Sequence, residues 1–154
     1  MSDSEWQQAP QIDEMTVDLI CWQGWYNSPV SGLARWEGRV VWFQQLDWWE
    51  GEGEHDWGYD IGLYVLNDED LADAVAWFRE KERWYFNPEL VALREQVADT
   101  DVRAALIKER GLTLREWQPA LPGRPDAWFR HRLNPAFYGA QSRSMWRLPK
   151  DWPA

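Results

Sequence analysis

The chain is 154 residues long, 45% apolar and 27% charged, a composition that excludes a disordered profile and fits a single domain over 1–154 with one core. Its formal net charge of −10 argues against nucleic acid or an anionic membrane as partner, because both are polyanions that recruit Lys and Arg. A lone cysteine, Cys21, cannot form an internal disulfide; with a polar, acidic start and no apolar run of membrane-spanning length, the expected compartment is the cytoplasm.

Residues 1–14 read as a flexible leader. Alternation begins at Met15, where Val17, Leu19 and Cys21 oppose Asp18 and Ile20, and predicts a first strand ending near Trp22. Gly24 to Gly32 (GWYNSPVSG) concentrates Gly, Asn, Ser and Pro and predicts a loop carrying Trp25, Tyr26 and Asn27. The runs Leu33 to Trp36 and Arg39 to Trp48 flank Glu37-Gly38, a spacing that suits a tight hairpin with Gly supplying positive φ. If Trp36 pairs with Arg39, Leu33 lies opposite Trp42 and Ala34 opposite Val41, which puts apolar side chains on both faces of the second of these strands. Trp49 to Asp56 reads as a glycine-spaced acidic loop, and the alternation from Trp57 to Val65 as the last strand of a sheet over 15–66.

Asn67 followed by Asp68, Glu69 and Asp70 reads as an N-cap and an acidic first turn, opening a helix to about Phe86. Leu71, Ala74, Val75, Phe78 and Tyr85 form its apolar stripe. Asn87-Pro88 breaks that helix and starts another, which Gly111 closes. Asp99-Thr100-Asp101 leaves open whether this second segment is one helix or two, with Thr100 as the cap of the second. Thr113 to Glu116 matches a capping box and predicts a short third helix before Pro119, Pro122 and Pro125. Helices then occupy 67–117, and 118–154 is an irregular basic tail rich in Pro and aromatic residues. The predicted fold is α+β, a three- to four-stranded antiparallel meander packed against helices.

Charge is split along the chain. Residues 1–102 hold 22 of the 26 acids and 6 of the 16 bases, whereas 10 bases fall between Arg103 and Lys150. The simplest consequence is a basic tail lying across an acidic body.

Four groups of residues are candidates for chemistry. The acidic loop (Asp47, Glu50, Glu52, Glu54, His55, Asp56 and Asp60) offers oxygen ligands, but its spacing matches neither an EF-hand nor a zinc site, so no metal and no cofactor is expected. His55 and His131 lie in opposite halves, and no nucleophile elbow, P-loop or dinucleotide fingerprint occurs, so no catalytic residue is assigned. The stretch from Ala104 to Leu133 superficially resembles a helix-turn-helix that would bring Arg115, Arg124, Arg130 and Arg132 near phosphates, although prolines interrupt its second helix. The aromatic group Trp22, Trp25, Tyr26, Trp36 and Trp42 supplies flat faces for a partner, with Trp22 and Trp42 on strands suited to a core and Trp25 and Tyr26 on a loop suited to exposure.

The hairpin sequence Tyr26-Asn27-Ser28-Pro29-Val30-Ser31-Gly32-Leu33-Ala34-Arg35-Trp36-Glu37-Gly38-Arg39, followed by Trp42-Phe43, resembles a group of small uncharacterised bacterial proteins. They share its order of Tyr, Pro, Gly-Leu and aromatic-x-Gly-basic residues ahead of a strand and an acidic loop. The likeness spans about Leu19 to Glu82; it implies an α+β fold and no activity.

The sequence therefore predicts a non-catalytic acidic interaction protein whose partner is a basic protein. Its contacts would be Trp22, Trp25, Tyr26, Asn27 and Trp36 together with Glu50, Glu52 and Glu54. The competing reading is a small-molecule or enzymatic pocket between the sheet and the C-terminal aromatics. A third is a salt-dependent homo-oligomer, with the basic tail of one chain on the acidic body of another.

Overall fold

Glu37 and Gly38 both have positive φ, 50° and 75°, the pair of left-handed conformations that a two-residue hairpin turn matched to strand twist requires. In the computed structural model, which describes residues 5–25, 28–53, 56–132 and 148, this turn joins β2 (Ser28–Trp36) to β3 (Arg39–Glu50). Trp36 pairs with Arg39, Leu33 with Trp42 and Ala34 with Val41, the register that the sequence predicts. With β1 (Val17–Trp25), β4 (Trp57–Tyr64) and β5 (Ala127–Arg132) they form one five-stranded sheet in the order β1-β2-β3-β4-β5, every neighbour antiparallel. With its three helices the fold is α+β.

Both faces of β3 are covered from Val41 to Phe43. Leu33, Trp42, Tyr64 and Cys21 point to one side, where Ala74, Trp77 and Phe78 of the first helix meet them. Ala34, Val41, Phe43, Ile61, Leu63 and Phe129 point to the other, with Trp22, Trp36 and Tyr59 packed alongside. Alternation puts successive side chains on opposite faces, so a strand apolar at every position from Val40 to Phe43 must be central.

α1 (Asp68–Tyr85) begins at Asn67, whose side chain accepts from the Asp70 N–H at 2.7 Å. α2 (Pro88–Gln96) begins at Asn87 in the same way, with Pro88 in its first turn. α3 (Thr100–Glu109) answers the open question about 88–110: there are two helices, and the cap is Asp99, which accepts from the N–H groups of Asp101 and Val102. Gly111, at φ +67°, ends α3. Its N–H reaches the Lys108 carbonyl and the Leu112 N–H the Ile107 carbonyl, a Schellman closure.

The structure corrects the sequence reading in five places. The expected loop at Gly24 to Gly32 is mostly strand, because β1 runs on to Trp25 and β2 starts at Ser28. Pro29 is accommodated where β2 has only β1 beside it, as a residue lacking an N–H must be. The capping-box segment from Thr113 has no regular secondary structure; it inserts Leu114, Trp117 and Leu121 against the first core cluster. A helix of so few residues before Pro119 has too little length to offset its nucleation. β4 is not the last strand, since β5 forms inside the tail read as irregular. Within the stripe of α1, Trp77 is buried and Tyr85 is exposed. Finally, residues 6–12 of the expected flexible leader are packed: Trp6 and Ala9 bury against Trp128, the Ile12 N–H donates to the Trp128 carbonyl, and Trp128 Nε1 donates to the Ala9 carbonyl at 3.0 Å. None of the helices in the described residues is long and apolar enough to cross a membrane.

Candidate functional site

In an antiparallel meander, alternate turns fall at the same end of the sheet. The C-terminal ends of β1 and β3 therefore lie at one end of the sheet, while the Glu37-Gly38 turn lies at the other. Of the predicted contact residues, Trp25 ends β1 and Glu50 ends β3 at this shared end, with Glu52 just beyond. Tyr26, Asn27, Glu54 and His55 lie outside the described residues. Trp36 is carried to the opposite end, where Arg39 sits over its ring at 5.9 Å. Trp22 packs half-buried on the second core cluster.

The β3–β4 hairpin also carries an aromatic group that the sequence reading did not single out. A register shift between Gln45 and Asp47 places Trp48 opposite Tyr59 and Glu50 opposite Trp57. Directly opposed residues of a pair share a face, so Trp48, Tyr59, Trp57 and Glu50 form one strip. Trp57 meets Tyr59 edge-on, centroids 6.2 Å apart. Trp48 is 57% exposed, an unusual position for the largest apolar side chain. The signal for it was the Trp48-Trp49 pair itself: in a strand, neighbouring tryptophans cannot both enter one core.

Trp49 goes to the other face. Arg130 and Arg132 lie over its ring at 5.0 and 5.4 Å, and its Nε1 donates to the His131 carbonyl at 3.3 Å. Arg130 also grips the buried Asp60 carboxylate with two bonds, at 3.0 and 3.3 Å, and that hydrogen bonding raises the guanidinium pKa further above its already high value. Arg132 pairs with Asp56 at 3.1 Å and Arg115 with Glu80 at 2.8 Å; Arg124 donates to the Gln8 carbonyl at 2.9 Å. Arg115, Arg124, Arg130 and Arg132 are thus engaged within the molecule, three of them on acids of the body, and among the described residues no second helix follows α3 to present them to phosphates.

His131 is buried and its Nδ1 contacts the Glu14 carboxylate. Among the described residues no group of three or more His, Cys, Asp or Glu is placed to hold a metal ion.

A cleft of about 470 Å³ opens on the helical face of the sheet, lined by Gln23 of β1, Trp77 of α1, and Glu116, Trp117 and Gln118 of the non-helical segment that follows Thr113. Trp117 lies nearly parallel to Trp77, centroids 6.5 Å apart at 29°, and meets Trp42 edge-on at 5.8 Å. Close by, Cys21 is fully buried, and burial pushes its thiol up to about 12. Burial also lowers the Lys81 ammonium from its ordinary value. Because the thiolate is the nucleophile, Cys21 is expected to resist a disulfide-exchange reagent at pH 8 in the folded protein. It should react fully once denaturant is added; a fast native reaction would show the thiol to be accessible.

No family model matches the chain, and comparisons with curated proteins and with solved structures give no match either. The reading of function therefore stands on the chain's own surface chemistry.

Proposed function

We propose that this protein is a non-catalytic, acidic interaction module that binds a basic protein partner at the end of the sheet where β1 and β3 finish. One observation carries the reading: Trp48 stands more than half exposed on a strand, in line with Tyr59, Trp57 and the carboxylate of Glu50. An exposed indole flanked by aromatic rings and acids is suited to a guanidinium or ammonium, which gains both the ring face and the carboxylate. Glu52 extends the acidic rim, and the net charge of −10 would steer a basic partner toward it. Trp25, with Tyr26 and Asn27 next to it in sequence, supplies the second set of contacts in this reading.

The test is capture from source-cell extract on immobilised wild-type protein, compared with Trp48→Ala and with Glu50→Lys combined with Glu52→Lys. All three substitutions fall on exposed positions, so each variant should melt close to wild type. A basic protein retained by wild type should be lost from both variants and released as salt rises from about 0.05 to about 0.5 M, where screening shortens to a few ångströms. Capture that is indifferent to these substitutions and to salt would remove the surface from consideration.

A further inference from the structure

The cleft beside Trp77 and Trp117 lies on the helical face of the sheet and has no part in the docking surface proposed above. Its volume of about 470 Å³ falls within the range of small-molecule sites, roughly 300–1,000 Å³.

Its walls are fixed from behind. The Trp77 indole is only 4% exposed, and its Nε1 donates to the Arg115 carbonyl at 3.1 Å. Gln23 is held by a bond from its Nε2 to the buried Ser31 hydroxyl, 3.1 Å long. Trp117 is wedged between Trp42 and Trp77. Such tethering lowers the ordering cost that a ligand must meet.

The lining also sets the class of ligand. Glu116 supplies an acceptor and the two amides, Gln23 and Gln118, supply both donors and acceptors, while the half-buried Trp117 offers apolar ring surface. Charge singles out neither a cation nor an anion, because the Glu116 carboxylate of the lining is offset by the Lys81 ammonium, 5.4 Å from the Trp77 ring centroid. Arg115 does not add a free positive charge, since it is paired with Glu80 at 2.8 Å. A ligand with an apolar ring face and a belt of hydroxyls, each able to donate and accept, satisfies every group present.

We infer that the cleft formed by Gln23, Trp77, Glu116, Trp117 and Gln118 is a binding site for a neutral, polyhydroxylated ring, a pyranose sugar in chemical class. The full chain is titrated by calorimetry and by saturation-transfer NMR with the methyl pyranosides of glucose, galactose and mannose, with N-acetylglucosamine, and with maltose and cellobiose. Concentrations reach about 20 mM, enough to fill a site of millimolar affinity. Putrescine and glucose 6-phosphate serve as the cationic and anionic probes.

At least one neutral sugar is expected to bind saturably, and better than either charged probe. Glu116→Gln and Gln118→Ala, both at exposed positions, should each weaken it ~5- to 10-fold, the worth of one hydrogen bond to a charged or polar group, with melting temperatures unchanged. Trp117→Ala should abolish it; because that change also touches the core, the two exposed variants decide the matter. Failure of every neutral sugar to bind, tighter binding of putrescine or glucose 6-phosphate, or sugar binding indifferent to Glu116→Gln and Gln118→Ala would each overturn the assignment.

Discussion

Trp42→Ala is expected to lower the unfolding free energy by about 3–5 kcal/mol, the usual cost of deleting a fully buried large aromatic. Trp42 has no exposed surface, sits between Leu33 and Tyr64 on its neighbouring strands, and touches Phe78 of α1 and Trp117 of the non-helical segment. It is the side chain through which the sheet, the helix and that segment meet, so the cavity left by alanine has three walls that cannot all collapse together. Against a typical total of roughly 5–15 kcal/mol, the loss would bring the protein close to unfolding. Urea denaturation followed by far-ultraviolet dichroism measures it, the midpoint falling with the slope unchanged. A loss below about 1 kcal/mol would mean that these three elements do not share one core. Trp42→Phe keeps the ring contacts and should cost clearly less.

Gly32→Ala should be nearly as damaging, for a different reason. A Cβ at this position would run into the Cys21 carbonyl oxygen and lie 2.7 Å from the Trp22 Cα, where the register of β1 shifts between Leu19 and Cys21. Over-packing in a core ordinarily costs about 1–3 kcal/mol; here the obstacle is backbone, which no rotamer change relieves, so the expected cost is at or above ~3 kcal/mol. Gly38→Ala provides the contrast. Gly38 has φ +75° but nothing within 4 Å of an added Cβ, so it should lose only the roughly 1 kcal/mol of an unfavourable left-handed conformation. Thermal melts of the two variants distinguish crowding from backbone strain: equal losses would show that the close approach of β1 and β2 at Gly32 is not real.

Several parts of the fold are legible in the sequence because their cause lies within a few residues. Glu37-Gly38 can only turn tightly, Asn67 and Asn87 cap the helices that begin just after them, Pro88 starts a helix and Gly111 stops one, and each does so through its own dihedral angles or side chain. The apolar run from Val40 to Phe43 demands cover on both faces, and with the turn fixed at Glu37-Gly38 the pairing of β2 with β3 is determined. The candidate surface was only partly legible. The acids and Trp25 could be named, but that they share one end of the sheet depends on the extension of β1 to Trp25, and that Trp48 rather than Trp49 faces solvent depends on the shift between Gln45 and Asp47.

What sequence alone determined, then, is the local geometry, meaning which residues turn, cap or alternate, and the two-sided character of the central strand. Tertiary structure alone decided the fifth strand, the packing of Trp6 on Trp128, and the non-helical course of the segment that packs Trp117 on Trp77 of α1. The reason is physical: a six-residue strand or a five-residue helix has almost no stability of its own. Its conformation is set by the apolar surface it covers and the hydrogen bonds it completes, here between residues more than sixty positions apart, as Arg130 and Asp60 are.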